Sequence, residues 1–126
     1  MFDQFEPSER YFRYLMISWI TFSAWAIVLQ SLFRKRLAAI TSWNYSPGWQ
    51  TEIALWNVGA VVLLALSLIA KNQIAHITVP VICVWSTLFG INHLIAYVRT
   101  SARGHLNAAI LNLGAVVWAA VILFTT

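Results

Sequence analysis

Residues 52–70 read EIALWNVGAVVLLALSLIA, an almost unbroken apolar run, and residues 107–120, NAAILNLGAVVWAA, repeat its opening. A helix that crosses a bilayer needs about 20 predominantly apolar residues. Hydrocarbon offers no partner to a bare peptide group, so a run of this kind reads as a spanning helix. Outward from it three further stretches qualify, giving Tyr11 to Phe33, Ile53 to Ala70, Ile74 to Val98 and Leu106 to Phe124. Ser46 as N-cap and Pro47 at the first helical position, where its missing N–H costs nothing, move the start of the second span forward. Thr100 and Ser101 offer caps for the fourth. The expectation is one transmembrane domain over 1–126 with spans at 11–33, 47–70, 74–98 and 102–124. Its fold class is all-α, an integral membrane four-helix bundle made of two pseudo-symmetric helical hairpins.

Composition agrees with that reading. The chain has 126 residues, 60% hydrophobic and 10% charged, with a mean hydropathy of +0.73, which is too apolar for a soluble domain of this length. The acidic start, FDQFEPSER, leads into a full-length span rather than the short apolar core of a cleaved signal, so the first span is read as retained. The single Cys83 lies mid-span and rules out disulfide frameworks and paired-cysteine redox chemistry. Net charge is +4, but the cations flank spans, which argues against nucleic acid as a partner. Arg34, Lys35, Arg36, Arg99 and Arg103 fall on one side, and Arg10, Arg13 and Lys71 on the other beside Asp3, Glu6 and Glu9. The positive-inside rule then places the two connecting loops that carry the five cations in the cytoplasm. The implied location is the inner (cytoplasmic) membrane, multi-pass, with both termini outside.

Aligning the two runs superposes Asn57 on Asn112, Gly59 on Gly114 and Glu52 on Asn107. A looser likeness of FSAWAIVLQSLF at 22–33 to STLFGINHLIAY at 86–97 brings Gln30 beside His93. These matches read as an internal duplication about an axis along the membrane normal. Counting from the flanking charges at about 1.5 Å per residue, Gln30, Asn57, His93 and Asn112 share one layer in the cytoplasmic half. Glu52 and Asn107 form a second layer nearer the surface.

Unpaired polar groups in hydrocarbon cost several kcal/mol, so the layer is either a hydrogen-bonded knot or a cavity. As a knot, the asparagines bond across helices while Gly59 and Gly114, with Ala60, Ala108 and Ala115, let backbones approach. As a cavity, Gln30, Glu52, Asn57, His93, Asn107 and Asn112 bind a ligand, with His93 and Glu52 as the pair able to move protons. His76 and His105 lie near span ends, where histidine meets water or headgroups. Two-histidine haem ligation needs a partner at the depth of His93, and His76 is at the opposite face. A single-histidine haem or a quinone remains open as cofactor, none is implied outright, and no metal-ligand spacing is present. Trp43, Tyr45 and Trp49 suit an interfacial belt. Trp19, Trp25, Trp85 and Trp118 read as packing or as a pocket wall. Arg34 to Tyr45 reads as a basic loop at headgroup level, and KNQ at 71–73 as a tight turn.

At SPGWQTEIALWNVG and GINHLIAYVR the chain resembles a set of small bacterial four-span membrane proteins, broadly DoxX-like in size. The resemblance implies the fold and a polar cluster at Ser46, Pro47, Gln50, Glu52, Asn57, Gly90 and His93, and it implies no activity. Where those proteins carry Pro-Gly-Asn before the last span this chain reads SARGHLNAA, so Asn107 matches only loosely. The functional expectation is a non-catalytic accessory or ligand-binding membrane component. It would take a small lipophilic ligand, alone, as a homo-oligomer or in a larger membrane complex. The alternative is a membrane-embedded enzyme using His93 and Glu52 on a lipophilic substrate, and the third is a small transporter subunit.

Overall fold

Five helices account for nearly all of residues 7–70 and 75–125, which the computed structural model describes: α1 (Pro7–Leu32), α2 (Arg34–Thr41), α3 (Pro47–Ile69), α4 (Ala75–Thr100) and α5 (Arg103–Thr125). Asp3, Glu6, the 71–73 turn and the side chain of His76 lie outside the described residues. α1, α3, α4 and α5 contain stretches long and apolar enough to cross a membrane, and they coincide with the four apolar runs of the sequence. α1 lies along α3 and α4 along α5, while lighter contacts of α1 with α5 and of α3 with α4 close the ring. The result is an all-α four-helix bundle of two hairpins.

The two ends of the bundle differ. Where α1 begins and α3 ends, Leu15, Met16, Trp19, Ala60, Leu64, Val79, Ile82, Ala119 and Ile122 fill the centre. Ser67 Oγ and Thr78 Oγ1 share a buried hydrogen bond of 2.7 Å there, which ties α3 to α4 across the seam between the hairpins. Bonds of this kind inside a membrane bundle contribute about 0.6 kcal/mol on average. At the other end the long helices splay around open space, and α2 crosses over it.

α2 occupies most of the segment expected to be a headgroup loop. Its sequence, RKRLAAIT, is rich in helix formers, and its residues divide by period into two faces. Ala38 and Thr41 are buried, whereas Lys35, Arg36 and Ala39 point outward. Two contacts hold the buried face down. Gln50 Nε2 donates to the Arg34 carbonyl at 3.0 Å, pinning the start of α2 to α3. At its far end the Ile40 carbonyl oxygen lies 2.5 Å from where a Cβ on Gly104 would stand, so only glycine admits α2 against α5.

The chain then leaves α2 through Ser42 in the left-handed region, at φ 55°, and α3 begins at Pro47 after an extended Ser46. The Ser46 hydroxyl makes no capping bond. Between α4 and α5 the Thr100 hydroxyl accepts from the Ala102 N–H at 3.3 Å, and the turn takes only Ser101 and Ala102.

The expected small-residue contacts need correcting. A Cβ on Gly59 or on Gly114 would meet nothing within 4 Å, so neither glycine serves a close helix approach. That role falls to Gly104 and to Gly90, where a Cβ would come 2.7 Å from the Leu113 side chain. Gly104→Ala should therefore lower the stability of the purified protein by about 1–3 kcal/mol, the usual cost of overpacking. Gly114→Ala should leave it unchanged or slightly raised. Thermal unfolding in detergent checks both, and equal Tm values for the two variants would contradict the α2–α5 contact.

Candidate functional site

The open end of the bundle encloses a cavity of about 290 Å³. All five helices or their connections contribute to its wall, from Phe22 to Gln30 on α1 through Leu37, Thr41 and Trp43 to the far halves of α3, α4 and α5. Trp19, Ala60, Ile82 and Ala115 form the floor, where the cavity meets the packed core. Six of the seven tryptophans, at 19, 25, 43, 49, 56 and 85, lie on this wall. Trp56 and Trp85 meet edge to face at 5.3 Å and 83°, joining α3 to α4 on one side.

Four of the residues expected in a polar layer are brought together here: Gln30, Asn57, His93 and Asn112 all line the cavity. Asn92, Ser23 and Ser86 join them. Glu52 and Asn107 do not. Both side chains are exposed and neither belongs to the wall, so Glu52 does not join His93 in the cavity.

The asparagines are not interhelical fasteners. Asn57 Nδ2 donates to the Ile53 carbonyl at 2.8 Å, and Asn112 Nδ2 donates to the Ala108 carbonyl at 2.9 Å. Each amide thus satisfies one N–H on its own helix one turn back, and the remaining N–H and Oδ1 make no hydrogen bond among the described residues. Thr41, Thr51, Thr87 and Thr100 hydroxyls use the same local pattern. Local bonding of this kind meets the demands of hydrocarbon without joining helices.

The polar centre of the site is a pair that the sequence did not suggest. His93 Nδ1 and His105 Nδ1 lie 3.0 Å apart, with ring centroids 5.2 Å apart. Trp43 covers both, stacked on His93 at 5.2 Å and 25° and tilted on His105 at 4.4 Å. His105 is 0% exposed and so does not meet water or headgroups. Its position near the start of α5 is sealed because α2 packs on Gly104, the residue before it. Trp43 likewise leaves the expected interfacial belt, because the left-handed Ser42 turns the chain inward after α2. His105 Nε2 and Gln30 Oε1 are buried without a hydrogen-bond partner.

One proton can lie between two Nδ1 atoms, so the pair holds together only while at least one ring presents a bare Nδ1. No group of three or more histidine, cysteine, aspartate or glutamate side chains able to hold a metal ion occurs among the described residues. Two nitrogens 3.0 Å apart also leave no room for a haem iron between them.

Comparison of the chain with protein-family models, with curated proteins and with solved structures finds no match in any of the three. The resemblance to DoxX-like proteins gains no support from them, and the site stands on its own geometry.

Removing either histidine leaves the other without its partner, whereas removing both does not. The cycle His93→Ala, His105→Ala and the double variant should therefore show coupling of about 0.5–1.5 kcal/mol, the scale of one net hydrogen bond. Denaturant unfolding of the purified protein measures it, and strict additivity would mean that the pair does not form.

Proposed function

We propose that this chain is a membrane-embedded binding protein for a small, mostly apolar molecule that carries a polar group, and that it performs no chemistry of its own. The observation that carries this reading is the cavity: mostly apolar, with eight tryptophan and phenylalanine side chains on its wall and a smaller number of polar groups among them. Ligand sites have this composition, an apolar enclosure with a small number of placed polar groups. Size supports it as well. A cavity of about 150 Å³ in another protein holds benzene, so 290 Å³ suits a compact body of roughly two rings. Such a molecule partitions into the bilayer and can reach the site from there.

A catalytic role for His93 with Glu52 has less behind it, since Glu52 is exposed and outside the wall. The positions of Arg34, Lys35, Arg36, Arg99 and Arg103 around the α2 end support a cytoplasmic location for the cavity, in an inner membrane with both termini on the other face. Two features support descent from a duplicated hairpin. α1 with α3 and α4 with α5 pack as equivalent pairs, and Asn57 and Asn112 make the same bond to the carbonyl four residues earlier.

Filling the space tests the proposal without touching the polar groups. Native mass spectrometry of gently extracted protein should show a stoichiometric non-lipid mass. Ala108→Leu, on the wall, should release that mass while Tm stays the same or rises. Bare wild-type protein, or a bound mass indifferent to the substitution, would refute the binding role.

A further inference from the structure

A molecule dissolved in the bilayer has to pass between helices to reach the cavity. Within each hairpin the helices pack closely, α1 on α3 and α4 on α5, so the ways in lie at the two lighter seams or past α2. α2 is pinned at its start by Gln50 and at its far end against Gly104, and Trp43 lies over the histidine rings. The α3–α4 seam is crossed at cavity level by Trp56 on Trp85 and at the closed end by the Ser67–Thr78 bond. The α1–α5 seam differs. A second space, of about 280 Å³, lies between the stretch from Leu15 to Phe22 on α1 and the stretch from Ile110 to Trp118 on α5. Both stretches fall in the middle of their helices, at the depth of the hydrocarbon core, and Phe22, Ile110, Leu111 and Trp118 are exposed along it.

Trp19, Phe22, Leu111 and Ala115 line both this groove and the cavity, so the two spaces abut. We propose that the α1–α5 groove is an entry site: it takes an uncharged apolar molecule from the hydrocarbon and passes it between Phe22 and Leu111 into the cavity. The chemistry of the groove suits that cargo. Its one hydroxyl, on Ser18, donates to the Tyr14 carbonyl of its own helix at 2.7 Å, and no charged side chain lines it among the described residues. A charged molecule would lose its hydration there with nothing in return. Of the four shared residues, Trp19 is held in the packed core and Ala115 is too small to obstruct. Phe22 and Leu111 are half exposed, and exposed side chains change rotamer within nanoseconds, so these two form the door. Gly114 keeps the groove open, because it lines the space and a Cβ there would meet nothing within 4 Å. Its match in the repeat, Gly59, lines neither space. The second glycine of the repeat thus has a role that the first lacks.

This proposal rests on the cavity being a binding site, and the experiment separates the two. The full chain in lipid nanodiscs is mixed by stopped flow with 2-naphthol, a neutral two-ring probe, and saturable quenching of the cavity tryptophans gives the rates of association and dissociation. Quenching that does not saturate measures probe in the lipid and is subtracted. Gly114→Phe plugs the groove, so it should slow both rates about tenfold or more and leave Kd within about twofold, since a plug acts on the path and not on the bound state. Gly59→Phe, the matched control, should change neither rate. Phe22→Ala removes half of the door and should raise both rates, which keeps the test decisive where Gly114→Phe fails to fold. Rates unchanged by the Gly114 and Phe22 substitutions would assign the groove to lipid chains and overturn the entry site while leaving the binding function standing. No saturable quenching of the wild-type protein would overturn both.

Discussion

The approach of the Ile40 carbonyl to Gly104 is the contact on which the open end of the bundle depends. Because residue 104 has no side chain, α2 lies down on the start of α5 instead of floating at the headgroups. His105 is sealed as a result. The left-handed Ser42 that follows then drops Trp43 onto both histidine rings. Left-handed backbone at a residue with a side chain costs about 1–2 kcal/mol, and here the burial of an indole against two imidazoles offsets it. Gln50 anchors the opposite end of α2 through the Arg34 carbonyl, so the crossing helix is held at both ends by main-chain atoms rather than by its own apolar surface.

Hydrocarbon governs the rest. Lipid tails are as apolar as leucine, so helices gain little from apolar contact with one another, and packing and polar bonds hold a bundle together. The closed end uses both, with a filled centre and the Ser67–Thr78 bond. At the open end the hairpins meet only around the rim, through Trp56 on Trp85, α2 on Gly104 and Trp43 on the histidine rings, and the space between them remains. Side chains there are kept tolerable by local bonds: Asn57 and Asn112 return one N–H to their own helices. A polar wall satisfied in part by its own helices still has bonding capacity to offer.

Much of this was legible in the chain. The four spans, the bundle and the gathering of Gln30, Asn57, His93 and Asn112 follow from hydropathy and from counting residues along helices of known rise. What escaped follows from one omission. Reading Arg34 to Tyr45 as a surface loop left the end of α5 open to water, and so His105 was given to the headgroups and Trp43 to the interface. Yet RKRLAAIT has the helix formers and the two-faced pattern of a short packed helix, and a glycine immediately before a histidine at a span start marks a place where another backbone can come close. Glu52 erred in the opposite way. Its register with Asn107 in the repeat was sound as sequence, but both positions face outward, because a repeat conserves direction as well as identity and says nothing about which face is inner. The two glycines of the repeat, likewise matched, border no neighbour.

The recurrence of Asn-x-Gly in two spans therefore has a physical reading different from helix fastening. An asparagine that bonded across the bundle would draw the hairpins together and close the cavity. One that bonds its own helix leaves its carbonyl oxygen without a bond among the described residues, and Asn57 on α3 and Asn112 on α5 do so at corresponding positions on the cavity wall. Set beside the His93–His105 pair, these amides leave the open end of the bundle with hydrogen-bonding groups that its own helices use only in part. The chain thus spends its few intramembrane polar residues on a wall whose hydrogen-bonding capacity is only partly used.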